Sequence, residues 1–177
     1  MKIRHAVPAA VTLLLAACTF TFNESGSPVS SGYPQQAVPS TSQEMLALIN
    51  QARSVGRKCG DTHYPSAPPL KWNALLEKSA RAHAQDMADK NYFKHESLDG
   101  RDFSDRIRNT GYRYRAAAEN ISAGIANAQD AIKGWLKSPG HCKNIMNPDY
   151  AEVGMGPGQN SKSHYGVYWV QNFGTTW

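Results

Sequence analysis

A change of period near the C-terminus narrows the possible folds more than any other feature of this chain. AEVGMGP (151–157) and HYGVYWVQNFG (164–174) flank the polar insert GQNSKS, and the second run alternates Tyr165, Val167 and Trp169 against Gly166, Tyr168 and Val170. Period two around a short turn-forming insert predicts a β-hairpin with one buried face. Upstream, the periods are helical. TSQEMLALINQARSVG (41–56) opens with Thr41 three residues before Glu44, the spacing of a capping box. It carries Met45, Leu48, Ile49 and Ala52 on one face, and Gly56 stops it. WNALLEKSARAHAQDMADKNYF (72–93) is the strongest helix, with Leu76, Ala80, His83 and Met87 in one stripe. A short helix in DFSDRIRNTG ends at Gly111. NAQDAIKGWLKS (127–138) predicts another, with Asn127 as N-cap and Asp130 at the positive end of its dipole. Pro139-Gly140 breaks it, and HCKNIMN adds a helical turn. KCGDTHYPSAPPL reads as a loop, and YRYRAAAENISAG as extended or loop-like. Helices first and strands last favour an α+β layered domain over a doubly wound one.

The N-terminus predicts an exported chain. Lys2 and Arg4 precede an apolar run from Ala6 to Ala17, which is too short to span a bilayer and ends in small residues as a secretion signal does. Its ending, Leu15-Ala16-Ala17-Cys18, resembles the lipobox of bacterial lipoproteins. Residues 1–17 are thus expected to leave as a signal peptide, and Cys18 to become the lipidated N-terminus. The alternative is an ordinary signal peptide with an incidental cysteine. Thr19 rather than aspartate follows Cys18, which in a double-membraned bacterium implies outer-membrane sorting. Residues 18–40 then form a tether. Ten of the 22 positions from Thr19 to Ser40 are Ser, Gly or Pro, with no apolar periodicity to build a core. The folded body is residues 41–177, expected to be a monomer. Cleavage would reduce the formal charge from +5 to +3, and Lys/Arg runs are absent, so a nucleic-acid partner is not expected. Asn120-Ile121-Ser122 fits a glycosylation sequon, idle in a bacterial lipoprotein.

With Cys18 lipidated, Cys59 and Cys142 remain as one pair in an oxidising setting, which predicts a disulfide. Free or intermolecular thiols, or a thiolate nucleophile at Cys142, are the alternatives. His141 is badly placed to serve that nucleophile, because adjacent residues on a helical turn point about 100° apart. Among six histidines, His5 leaves with the signal peptide, His63 lies in a Pro-rich loop, His83 sits on an apolar stripe and His164 begins a strand. His95, in NYFKHESLDG, and His141 stand at element ends, where loops build sites. Glu119 is a lone acid in an apolar stretch, the mark of a buried, partnered carboxylate. Surface histidines and a structural glutamate are the plainer reading of these three residues alone, and no HExxH or CxxC motif is present.

Together FKHESLDG, AENISAG, WLKSPGHCKNIMNPDYAEVGMG and YWVQNFG closely resemble the CAP superfamily, which contains cysteine-rich secretory proteins, antigen 5 allergens and pathogenesis-related plant proteins. The resemblance is to its bacterial branch and runs from about residue 43 to 175. It implies a three-layer α-β-α sandwich with a central antiparallel sheet. It also implies a cleft in which His95 and His141 match the family's two histidines and Glu119 the glutamate of its GEN(I/L) motif. A second family glutamate falls at Ser138 here; Asp99, Asp102 and Glu152 are the acids that could stand in for it. In some relatives the paired histidines bind zinc or another divalent ion. The expectation is therefore weak metal binding by His95 and His141, with Glu119 orienting a histidine or accepting a proton from metal-bound water. Family activities include sterol and lipid binding, protease claims and host interaction. The leading expectation is a lipid-anchored binding module for a small ligand, lipid, divalent cation or envelope component. The competing one is a metal-assisted hydrolase of peptides, lipids or envelope polymers.

Overall fold

A computed structural model describes residues 42–177. The predicted signal peptide, Cys18, the tether and the Thr41 cap lie outside the described residues. The elements in chain order are α1 (Ser42–Arg53), β1 (Arg57–Cys59), β2 (Thr62–Tyr64), β3 (Lys71–Trp72), α2 (Ala74–Lys90), α3 (Phe103–Asn109), β4 (Ala116–Ala123), α4 (Ala128–Lys137), α5 (Pro139–Met146), β5 (Glu152–Gln159) and β6 (Val167–Thr175). β1 and β2 form a small hairpin inside the segment expected to be a loop. The main sheet runs β3-β5-β6-β4. It is antiparallel apart from the two-residue edge strand β3, which pairs parallel with β5.

Both faces of this sheet are covered, so the architecture is the three-layer α+β sandwich. Trp169 and Phe173 of β6 pack with Val153 and Met155 of β5 against α1, α4 and α5. Tyr168 and Val170 of the same strand pack against Ala80, Ala84 and Met87 of α2. The hairpin is therefore buried on both faces, not one, because helices flank a central strand on either side. Each fully buried Met or Leu side chain of this core contributes about 1.5–3 kcal/mol relative to exposure.

α2 lies close to the sheet because β5 offers glycine on that face. A Cβ at Gly154 would stand 2.0 Å from the Glu77 nitrogen, and one at Gly158 2.2 Å from the Ala84 carbonyl carbon. The alternation Gly154-Met155-Gly156-Pro157-Gly158 thus presents bare backbone to α2. Asn73 caps the helix, its side-chain oxygen accepting from Leu75 N at 2.9 Å. Asn91 ends it in the left-handed region, φ 54°.

Pro139, read as part of a break, is the first residue of α5: one residue, Ser138, separates it from α4. Proline suits the first helical turn, where its missing N–H would have no partner. Asn127 caps α4 as predicted, accepting from Asp130 N at 2.9 Å. The far end of α5 is held by the buried Arg53 of α1, which donates to the carbonyls of Ile145 (2.6 Å), Asn147 (2.9 Å) and Pro68 (2.7 Å). Burial draws the Arg53 pKa down to about 10, so it stays charged at neutral pH. A Cys59–Cys142 disulfide ties the start of α5 to the β1–β2 hairpin.

β4 is the other edge of the sheet, and side chains cover two of its outward carbonyls. Trp135 Nε1 donates to Ile121 O at 3.0 Å and Asn144 Nδ2 to Glu119 O at 3.4 Å. The segment read as extended or loop-like is a regular strand because β6 pairs with it along its whole length.

Candidate functional site

Glu119 is the centre of the site. It sits mid-strand on β4 opposite Asn172, with its side chain 1% exposed. Its Oε1 accepts from His95 Nδ1 at 2.9 Å and from Arg106 Nη2 at 3.0 Å, and its Oε2 accepts from the same Nη2 at 2.8 Å. With its amide nitrogen turned toward the carboxylate, Asn172 adds a bond to Oε2 at 3.2 Å and accepts from Ser79 Oγ and Ala80 N on its other side. The lone acid of an apolar stretch is thus buried and paired, as a carboxylate in such a place must be.

Arg106, on α3, is a site residue that the sequence reading does not single out. Its second terminal nitrogen donates to Ser97 Oγ (3.1 Å) and Arg101 O (3.0 Å), which fixes the fork that grips Glu119. A signal exists. Arg106 lies between Phe103 and Ile107 on the buried face of a short helix, and a buried carboxylate requires a buried cation.

His95 is carried by the irregular segment after α2. The left-handed Asn91 turns the chain, and its side chain accepts from His164 N at 2.7 Å, anchoring the turn to the β5–β6 hairpin. The buried His83 meets Lys94 O through Nε2 at 3.0 Å, immediately before His95. His83 is therefore a positioning residue of the core. The His95 ring itself is 53% exposed. Because Glu119 accepts from Nδ1, that nitrogen carries the proton and Nε2 presents its lone pair.

His141, in the first turn of α5, is half-buried. Its carbonyl accepts from Asn120 Nδ2 at 3.2 Å, and Asn120 Oδ1 in turn accepts from Asn144 Nδ2 at 2.9 Å. Burial, and then repulsion from His95, push its pKa below the usual histidine value. His95 is thus near enough to act on the His141 ring through its charge.

Ser138, where the family's second acid would fall, is the link between α4 and α5. The three acids considered as substitutes are engaged elsewhere. Asp99 pairs with Arg101 at 2.7 Å. Asp102 caps α3, accepting from Asp105 N. Glu152 accepts from Tyr112 Oη (2.6 Å) and Asn73 Nδ2 (2.9 Å). Among the described residues, no group of three or more His, Cys, Asp or Glu side chains is placed to hold a metal ion. Glu119 Oε1 and Oε2 are already committed to His95 and Arg106, which among the described residues leaves the two imidazoles as the only donors here that a cation could take. Cys142 is in the disulfide and offers no thiolate.

The segment around His95 exposes both charged and apolar side chains, with Lys94 and Glu96 directly flanking it. Phe93 (40% exposed) meets Tyr165 edge to face at 5.9 Å, and Leu98 is 58% exposed.

The fold agrees with the comparison to known proteins. The sequence profile of the CAP family, described as the cysteine-rich secretory protein family, matches residues 46–173. The chain belongs to this family. Bacillus subtilis YkwD is 40% identical over 105 residues, covering 59% of this chain and 39% of YkwD. A Bacillus subtilis membrane protein, YlbC, is 32% identical over 108 residues, covering 61% of this chain and 29% of YlbC. The aligned part is thus well under half the length of these curated relatives. Among solved structures, an extracellular SCP-domain protein of Bacillus anthracis superposes with a TM-score of 0.61 at 29% identity, over 76% of this chain and 40% of that one. An outer surface protein of Borrelia burgdorferi shares the fold, with a TM-score of 0.58 at 20% identity over 76% of this chain and 89% of that one. No helix among the described residues is long and apolar enough to cross a membrane.

Proposed function

We propose that this is an exported CAP-domain binding module. Lipid on Cys18 anchors it to the cell envelope, at the outer membrane if the cell has one, and the protein presents the His95/Glu119/His141 cleft to a small ligand, a lipid or a divalent cation. The observation that carries this reading is the state of Glu119. A carboxylate whose two oxygens are held by Arg106 and His95 orients an imidazole well but is poorly disposed to take a proton from water. Phe93 and Leu98, exposed two residues before and three after His95 in the chain, favour a ligand with an apolar part. The extracellular and outer-surface descriptions of two relatives by fold are consistent with export.

If a cation binds, His95 Nε2 and the His141 ring would hold it. Zinc or a similar ion would act there as a Lewis acid. Two protein ligands fall short of the three usual for catalytic zinc, which implies weak binding. One observation favours the competing hydrolase: a histidine backed by a buried carboxylate, with its other nitrogen open, is the form used in metal-assisted hydrolysis.

Metals and lipids co-extracted with the full-length protein, measured by elemental and lipid mass spectrometry, separate the readings. A ligand retained by wild type and lost from His95→Ala/His141→Ala is expected. Equal loading of the two proteins would remove the cleft from the proposal. Hydrolytic turnover abolished by His141→Ala would reverse the order of the two readings. Cys18→Ala is expected to release the protein from membranes into the soluble fraction.

A further inference from the structure

Successive side chains of a strand point to opposite faces of its sheet, and β4 uses this to serve both histidines. Ile121, on the Glu119 face, packs with Ala80, Ala84 and Met87 of α2. Ala118, on the Asn120 face, belongs to the core shared with Trp135 of α4 and Ile145 of α5. Glu119 therefore reaches His95 on one side of the sheet, while the next residue, Asn120, reaches α5 on the other. Asn120 is fully buried, and both of its amide protons and its amide oxygen are used. Nδ2 donates to His141 O at 3.2 Å and to Gln171 Oε1 at 3.0 Å, and Oδ1 accepts from Asn144 Nδ2 at 2.9 Å. A main-chain carbonyl can only accept, so the His141 contact fixes which way this amide faces. The Glu119 carbonyl, 3.4 Å from Asn144 Nδ2, fixes the Asn144 amide in the same way. β4, β6 and α5 thus meet at one side chain. Asn120 also opens the Asn-Ile-Ser triplet of the sequence, and its nitrogen is spent inside the core, where no sugar could be attached.

We propose that Asn120 is a positioning residue of the site, supported by Asn144, which fixes the His141 main chain against β4 and so sets the separation of the two imidazoles. The inference rests on the His95/Glu119/His141 reading of the cleft. Adjacent residues of one strand then hold one histidine each, Glu119 through the His95 ring and Asn120 through the His141 backbone. Displacing either contact moves one ring relative to the other, and a ligand that touches both rings loses a partner. The disulfide at Cys142 ties α5 to the β1–β2 hairpin, and Asn120 ties it to the main sheet, so His141 is pinned to two different elements. Aspartate at position 120 would keep the shape of the side chain but exchange both donated bonds for repulsion between oxygens.

Two measurements on the full-length protein test this: histidine-ring NMR at pH 7.5 without metal, and calorimetry with zinc alone as the probe. Asn120→Asp is expected to shift or broaden the His141 ring resonances, with a much smaller change at His95. It should weaken zinc binding at least about tenfold, the scale of one buried hydrogen bond. Asn144→Ala, at a half-buried position, should give the same pattern more weakly, and it decides the question if Asn120→Asp does not fold. Met155→Ala, a buried change in the same core as Ala118, controls for lost stability alone. It should leave the His141 resonances in place and zinc affinity within about twofold of wild type. The proposal is overturned if the folded position-120 and position-144 variants keep wild-type His141 resonances, if zinc binds them as it binds wild type, or if Met155→Ala disturbs both as much. Should wild type bind no zinc, the cation reading of the cleft falls, and the NMR comparison decides the positioning role by itself.

Discussion

Arg106 and Glu119 act as one unit, and their energetics follow from burial. Both side chains are at most 5% exposed, so removing either leaves a charge that water cannot reach. Glu119→Leu and Arg106→Met should each cost about 3–5 kcal/mol, whereas the double variant carrying both should cost much less than their sum. Urea titration of the four proteins checks this, and simple additivity would contradict it. The histidines make a second prediction at this scale. Burial holds His83 and His141 below the usual pKa, with His95 adding to the effect at His141. The unfolded chain therefore binds protons that the folded chain refuses once the pH drops below about 6.5. Stability should be level above that value and fall as the pH falls beneath it. A melting temperature followed from pH 7.5 to 5 should show this slope, and His141→Asn should flatten it. An unchanged slope in that variant would assign the acid sensitivity elsewhere. Glu119 is readable in the sequence as a buried, partnered acid. Its partner is not, because an arginine on a short helix looks the same on a line of text whether it faces water or the core.

At the level of elements, the approach of α2 to β5 depends on missing side chains. Gly154→Ala and Gly158→Ala would each drive a methyl group into helix backbone, which cannot rotate aside. Each is expected to destabilise by about 3 kcal/mol or more, the upper end for overpacking. Gly140→Ala in α5 meets nothing within 4 Å and should be neutral or stabilising by up to about 1 kcal/mol. Thermal melts of the three variants give the comparison, and similar losses in all three would refute the packing account. α2 is legible because its stripe of Leu76, Ala80, His83 and Met87 repeats at helical spacing, and all four are buried. β4 is less so: AAAENISA carries neither a clean alternation nor a strong β-former run, and it becomes a strand through pairing with β6. Alternation in β6 misleads in a different way. Trp169 and Phe173 against Tyr168 and Val170 are apolar on both sides, the pattern of a strand covered twice.

For the whole molecule, the order of helices and strands is enough to reach an α+β class. The third layer comes only from the family resemblance, since no local pattern says which face of the sheet a helix will cover. The Cys59–Cys142 bridge spans 83 residues of chain and joins the hairpin after α1 to the helix that bears His141. Cys59→Ser/Cys142→Ser should cost about 2–5 kcal/mol, measured by denaturant midpoint against wild type. Because the bridge grips the residue next to His141, the same variant should also lose affinity for any ligand of the proposed site, even where it remains folded.

The covered edge of β4 bears on how copies of the protein meet. An uncapped outer strand would invite a neighbouring copy to continue the sheet wherever copies are concentrated. With Trp135 and Asn144 occupying the carbonyls of Ile121 and Glu119, lateral growth into filaments is denied a starting point along this strand. Many copies could then stand side by side and remain separate molecules.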